Sequence, residues 1–199
     1  MLKLSKGYKI TSSEELFEGF EFSDNNTITA NVGSDKIIDV VQHFICMQEE
    51  PLFFILELPV SCDREDPDEN GILKSMHKDI FFIDDCSKEE CLGLTIRYGE
   101  LLISDGMSKF GFASHKSQDE IMVEAYNIIN IYSENINIYG DFFKPHEIEK
   151  VENMKTAYDT FSAETPGSKE RVDVDGISVY DLPDLLKDWG IYLAETSEE

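Results

Sequence analysis

Between Lys36 and Gln48, Ile37, Ile38, Val41, Phe44 and Ile45 recur at helical spacing, so one stripe of an α-helix faces a core. The period then changes. Pro51–Leu58 is apolar at nearly every position and bounded by prolines, the pattern of a strand covered on both faces. Asp79–Ile83 reads as a second buried strand. Ser87 followed by Glu90 is a capping box, and it opens a helix over Lys88–Ile103 with Cys91, Leu94, Tyr98, Leu101 and Leu102 on one side. Gly93 and Gly99 weaken that helix, and Asp105-Gly106 ends it.

Towards the N-terminus, Leu2–Thr11 predicts a short edge strand whose lysines discourage pairing. Ser12 and Ser13 cap a short helix through Phe20, Asp24-Asn25-Asn26 is a turn, and Thr27–Val32 alternates as a strand. Ser61–Lys78 predicts a long polar loop. Further on, Lys109–Ala113 is a strand, and Ile121–Ser133 is another because Val, Tyr, Asn and Ile favour sheet. Asn137–Lys144 predicts a short helix stopped by Pro145, Lys155–Phe161 a strand, and Thr165-Pro166-Gly167 a turn. Asp175-Gly176 between Val172–Val174 and Ile177–Tyr180 is a hairpin signal. Leu182–Trp189 is a short helix with Pro183 in its first turn, and Ile191–Leu193 is a last strand before an acidic tail, Thr196–Glu199. Strands and helices interleave irregularly. The expected fold is a single α+β domain spanning residues 1–199, with a mainly antiparallel sheet of Leu52–Leu58, Asp79–Ile83, Lys109–Ala113 and Val172–Tyr180 flanked by helices.

Charge changes the picture more than composition does. The formal net charge is −24, with 21 acids and 9 bases in residues 1–100 and 20 acids and 8 bases in the rest. Acidity is therefore spread over the surface and does not sit in one tail. Such a surface repels nucleic acid and anionic lipid and attracts basic partners. The 13 Phe and 8 Tyr argue against wholesale disorder. The N-terminus has no apolar run of signal-peptide length, and Pro51–Val60 is too short to cross a membrane. A cytoplasmic, soluble protein is expected, with Cys46, Cys62, Cys86 and Cys91 as reduced thiols and Cys46 in a core.

Candidate chemistry is sparse. Asp66, Asp68 and Asn70 stand at the first, third and fifth positions of a calcium loop, with Gly71 at the sixth. His77 occupies the place of the bidentate Glu, and Lys74 opposes a cation, so an acidic surface loop that binds calcium weakly or not at all is expected. Cys86 with Cys91, and His43 with Cys46, do not match zinc-site spacing. Ser114 and His115 are neighbours that a strand sends to opposite faces. There is no phosphate-binding glycine loop and no nucleophile elbow. No cofactor or metal is expected.

Asp119-Glu120-Ile121, Tyr126-Asn127, Thr156–Phe161, Pro166-Gly167, Val179–Pro183 and Trp189–Tyr192 give the second half its character. Over roughly the last hundred residues it resembles small uncharacterised bacterial proteins, some of which resemble immunity factors that neutralise polymorphic toxins. The resemblance implies a bacterial cytosolic protein and favours partner binding over catalysis. The expectation is an acidic immunity protein covering the active-site face of a basic toxin, with no nucleic acid or membrane involved. Asp63, Glu65, Asp66, Asp68 and Glu69 are the expected rim of the interface, joined by Asp84 and Asp85. The alternative is an enzyme or small-molecule-binding protein with a cleft near Tyr98, His115 and Tyr126.

Overall fold

The computed structural model describes residues 1–11, 16–23, 25–60 and 76–198. In chain order the strands and α-helices are β1 (Tyr8–Lys9), β2 (Gly19–Ser23), β3 (Thr27–Asn31), α1 (Ile37–Met47), β4 (Leu52–Pro59), β5 (His77–Cys86), α2 (Lys88–Ser104), β6 (Lys109–Ser114), β7 (Glu120–Glu124), β8 (Ile128–Tyr132), β9 (Ser168–Lys169), α3 (Leu182–Leu185) and β10 (Tyr192–Glu198). Eight strands form one sheet in the order β10-β5-β4-β6-β7-β8-β3-β2, with every neighbouring pair antiparallel. β1 and β9 make a separate two-stranded ribbon. The fold is α+β.

Helices α1 and α2 pack on each other and on the central strands. The side chains of β4 alternate accordingly. Leu52, Phe54, Leu56 and Leu58 enter the main core beneath the helices, together with Phe44, Ile45, Leu94, Phe110 and Phe112. Burying each such side chain contributes about 1.5–3 kcal/mol. The segments after β8 complete the core with Tyr139, Phe142, Phe143 and Val179, and α3 adds Leu182. Among the described residues, the other face of β4 meets neighbouring strands and no helix; there Phe53 and Ile55 join Ile80, Phe82, Ala113 and Met122. Both faces of β4 are therefore apolar, as its unbroken pattern predicted, yet only one lies under helices.

The capping box of α2 forms as read: Glu90 N–H donates to the Ser87 hydroxyl at 3.2 Å, and Ser87 N–H donates to the Glu90 carboxylate at 2.8 Å. The bond from Ser87 N–H, and then the Ser87 hydroxyl donating to the same carboxylate at 2.7 Å, pull the Glu90 carboxyl below its ordinary range.

Several local expectations are corrected. Residues 12–15 lie outside the described residues, but Gly19–Ser23 is a strand and not the end of a helix. Phe20 and Phe22 alternate with polar neighbours, and pairing with β3 satisfies the backbone. Leu2–Thr11 contributes only Tyr8–Lys9 as strand. Ile121–Ser133 divides into β7 and β8, because Tyr126 and Asn127 adopt left-handed backbone at φ 60° and 63°. The Asn127 side chain accepts from Ser5 N–H and donates to the Lys3 and Val32 carbonyls, so long-range contacts hold a turn that local chemistry does not announce. Ile136–Tyr139 and Lys144–His146 are 3-10 turns, and Pro145 starts the second one instead of stopping the first. Ala157–Thr160 is also a 3-10 turn, boxed by Thr156 and Asp159, where a strand was expected.

Val172–Tyr180 does not join the sheet. Asp175 and Gly176 make the expected tight turn at φ 51° and 77°, but it closes a single bridge, Val174 to Ile177. The presumed acidic tail is strand through Glu198, hydrogen-bonded to β5. Cys46 is exposed, because it lies off the buried stripe of α1.

The two edges of the sheet differ. At β2, Phe20 N–H donates to the Glu149 carbonyl and Val151 N–H donates to the Phe20 carbonyl, at 3.0 and 2.9 Å, so a following segment covers the edge. At β10, six of the seven residues are exposed.

Candidate partner-binding surface

The register of β4 and β5 slips between Leu52 and Phe54: Leu52 pairs with Cys86 and Phe54 with Ile83. Asp84 and Asp85 therefore stand together opposite Phe53. This is a β-bulge, and Asp85 takes its left-handed position at φ 55°, a conformation that Asp tolerates better than most residues. The bulge leaves both carboxylates exposed.

Around the bulge the uncovered face of the sheet is aromatic. Phe53 packs edge-on to Phe82 at 5.7 Å between ring centres, and Phe82 packs edge-on to Tyr192 at 6.3 Å. His115 lies 4.7 Å from Phe53. Asp84 touches both flanks of this row. Its Oδ2 accepts the Tyr192 hydroxyl at 2.5 Å, and its Oδ1 lies 3.7 Å from His115 Nε2. The bond to Asp84, with a lesser effect of burial, raises the Tyr192 hydroxyl above its ordinary pKa.

Acids rim the row. Glu195 pairs across from Ile80, which places it on the same face as Tyr192. Asp85 is exposed in the bulge itself, and Glu89 and Glu90 are exposed in the first turn of α2 that follows it. On the far side a belt of ion pairs crosses the strands, Lys78 with Glu57 and Lys109 with Glu124, both at 2.7 Å. Between belt and aromatics, Glu120 lines a hollow of about 270 Å³ with Phe53, Ala113, Ser114, His115 and Gln118. Burial, then Glu57 and Glu124, push the Glu120 carboxyl above its ordinary value. The arrangement offers half-buried rings to a partner, and carboxylates to its cations.

The predicted rim is only partly in view. Asp84 and Asp85 lie on this surface. Asp63, Glu65, Asp66, Asp68 and Glu69 lie outside the described residues, as does the calcium-like loop apart from Met76 and His77, the latter being the first residue of β5. Tyr192, Phe53 and Phe82 were not anticipated as site residues. Their only sequence signal is alternation in strands whose partners are distant in the chain.

The alternative cleft does not assemble. Tyr98 is in the main core, Tyr126 belongs to a separate cluster with Tyr8 and Leu16, and His115 is on the uncovered face. Ser114 and His115 part as expected. The Ser114 hydroxyl donates to the Glu49 carbonyl at 3.1 Å and accepts from Lys116 N–H at 3.2 Å. Cys86 and Cys91 are buried free thiols, and the Cys86 thiol donates to the Ile83 carbonyl at 3.5 Å; the neighbouring Cys91 lowers the Cys86 pKa, while Cys86 and then burial raise that of Cys91. Among the described residues no three His, Cys, Asp or Glu side chains gather as a metal ion requires. No helix among them is long and apolar enough to cross a membrane. Comparison of the chain with family models, with curated proteins and with solved structures returns no match.

Proposed function

We propose that the protein acts by binding a basic surface of another protein, most simply the active-site face of a toxin that its own cell must survive. The observation that carries this reading is the row Phe53–Phe82–Tyr192 set inside exposed carboxylates at the open edge of the sheet. Rim charges mainly tune association rate, whereas tight binding needs apolar anchors at the centre. A surface with both meets the two requirements together. The −24 charge adds steering over roughly a Debye length. A carboxylate face of this kind replaces the phosphates that a basic nuclease groove would otherwise hold.

The test is capture from the native bacterial host at low and high salt, followed by kinetics on the captured partner. A basic partner is expected, with association slowing steeply as salt rises. Tyr192→Ala and Phe82→Ala are expected to speed dissociation by about tenfold or more. Asp84→Asn with Asp85→Asn is expected to slow association and flatten its salt dependence. Capture of acidic partners only, or indifference to all four substitutions, would overturn the proposal.

A further inference from the structure

A second site lies away from the aromatic row, where the end of α1, the β6–β7 turn and the Ile136–Tyr139 turn enclose a cavity of about 330 Å³. That volume lies within the range of small-ligand pockets. Its floor is a chain of buried polar side chains. The Gln48 side-chain amide donates to the Tyr139 hydroxyl at 2.8 Å, and this hydroxyl donates to Asp119 Oδ2 at 2.8 Å. Ser117 closes the chain, donating to Gln48 Oε1 at 3.1 Å and accepting Asp119 N–H at 3.2 Å. Gln48, Asp119 and Tyr139 are 3%, 4% and 0% exposed.

Asp119 is the anomaly in this floor. A buried carboxylate is costly unless paired and fully hydrogen-bonded. Oδ2 has a single neutral donor, Tyr139, whereas Oδ1 has no donor among the described residues and is not fully buried, so this oxygen stays open to solvent in the cavity. Lys116 lines the same cavity, but its ammonium meets Glu49 at 3.3 Å on the exposed rim. Met47 and Ile138, 43% and 51% exposed, form an apolar lip.

We infer that this cavity binds a short primary alkylammonium, with its charged group on Asp119 Oδ1 and its alkyl stem against Met47 and Ile138. An ammonium is a compact charge with three donors that suits a single free oxygen. A guanidinium requires two parallel acceptors, and here Oδ2 already accepts from Tyr139. A divalent cation needs more oxygen ligands than one carboxylate supplies. The strongly negative chain raises the local concentration of any organic cation.

The probes are n-butylammonium chloride and its neutral isostere n-butanol, titrated into the isotopically labelled full chain at constant ionic strength. The amine is expected to give saturating amide shifts at residues 47–49, 116–119 and 136–139 in the millimolar range, and butanol none. Asp119→Asn is expected to weaken amine binding by about tenfold or more. Tyr139→Phe, which frees the second oxygen, is expected to retain it. Equal shifts with butanol, shifts confined to other residues, no saturable shift, or undiminished binding in a folded Asp119→Asn protein would each overturn the inference. The two probes decide the matter on the wild-type protein alone, even if the variants fail to fold.

Discussion

The Tyr192 hydroxyl donates to Asp84 Oδ2 at 2.5 Å, tying the first residue of the edge strand to the β-bulge. Tyr192 pairs with Phe82 in the β10–β5 ladder, so the bond reaches two residues further along β5, to the first residue of the bulge. A second tie lies along the same ladder, where Thr196 donates to Asp79 at 2.6 Å. An edge strand with exposed side chains on both faces has little apolar burial to hold it, and such side-chain ties limit its fraying.

Tyr192→Phe keeps the ring against Phe82 and removes the hydroxyl. Faster hydrogen exchange is expected at the amides of Tyr192–Glu198, with midpoint of global unfolding nearly unchanged. Exchange read by mass spectrometry checks it. A large fall in global stability with unaltered exchange in β10 would contradict the role assigned to this bond.

Ser87→Ala removes the hydroxyl that accepts the Glu90 N–H and donates to the Glu90 carboxylate, leaving only the bond from the backbone N–H of residue 87. The expected loss is about 1 kcal/mol, measured by urea unfolding. Because α2 covers the central strands, the loss should appear in the global transition and not as local fraying.

Phe53 and Phe54 are neighbours that face opposite sides of β4. Phe54 is 1% exposed in the main core, and Phe54→Ala is expected to cost about 3–5 kcal/mol. Phe53 is only part-buried, so Phe53→Ala should cost clearly less while weakening partner binding more. Denaturant midpoints compared with binding rates separate the two effects.

His43 Nδ1 and His146 Nε2 lie 3.0 Å apart, with the His43 ring stacked on Phe142. Burial lowers the pKa of both, and for His146 the neighbouring His43 and Lys36 add to this while Asp39 opposes it. With the folded values below the ordinary 6.5, the unfolded chain binds more protons as pH falls beneath that point. Stability is therefore full above pH 6.5 and declines as pH drops towards the folded values. His43→Gln with His146→Gln should flatten that decline in thermal melts between about pH 7 and 5. An unchanged slope would show that carboxylates alone set it.

Local pattern was enough for the elements that bury one face. The α1 stripe, the unbroken apolar run of β4 and the Ser87–Glu90 box each state their structure within a dozen residues or so, because period and capping are local physics. Charge was equally legible, since net charge is a sum over the chain. The left-handed turn at Tyr126-Asn127 was not, because it depends on Asn127 bonding to Lys3, Ser5 and Val32, far away in sequence. Nor was the full length of the final strand: its start was legible at Ile191–Leu193, but the acidic residues after it read as a tail until β5 supplies backbone partners. The aromatic row has the same origin: Phe53, Phe82 and Tyr192 meet only because three strands distant in the chain stand side by side. Asp119 likewise became distinct from the other acids only when Tyr139 and Gln48 closed over it. The sequence alone determined the main helices and central strands, where period and capping are local, and the sign of the surface. Tertiary structure decided which carboxylates are exposed, which one is buried with a free oxygen, and where the rings gather, since burial and long-range hydrogen bonds exist only once the strands are in register.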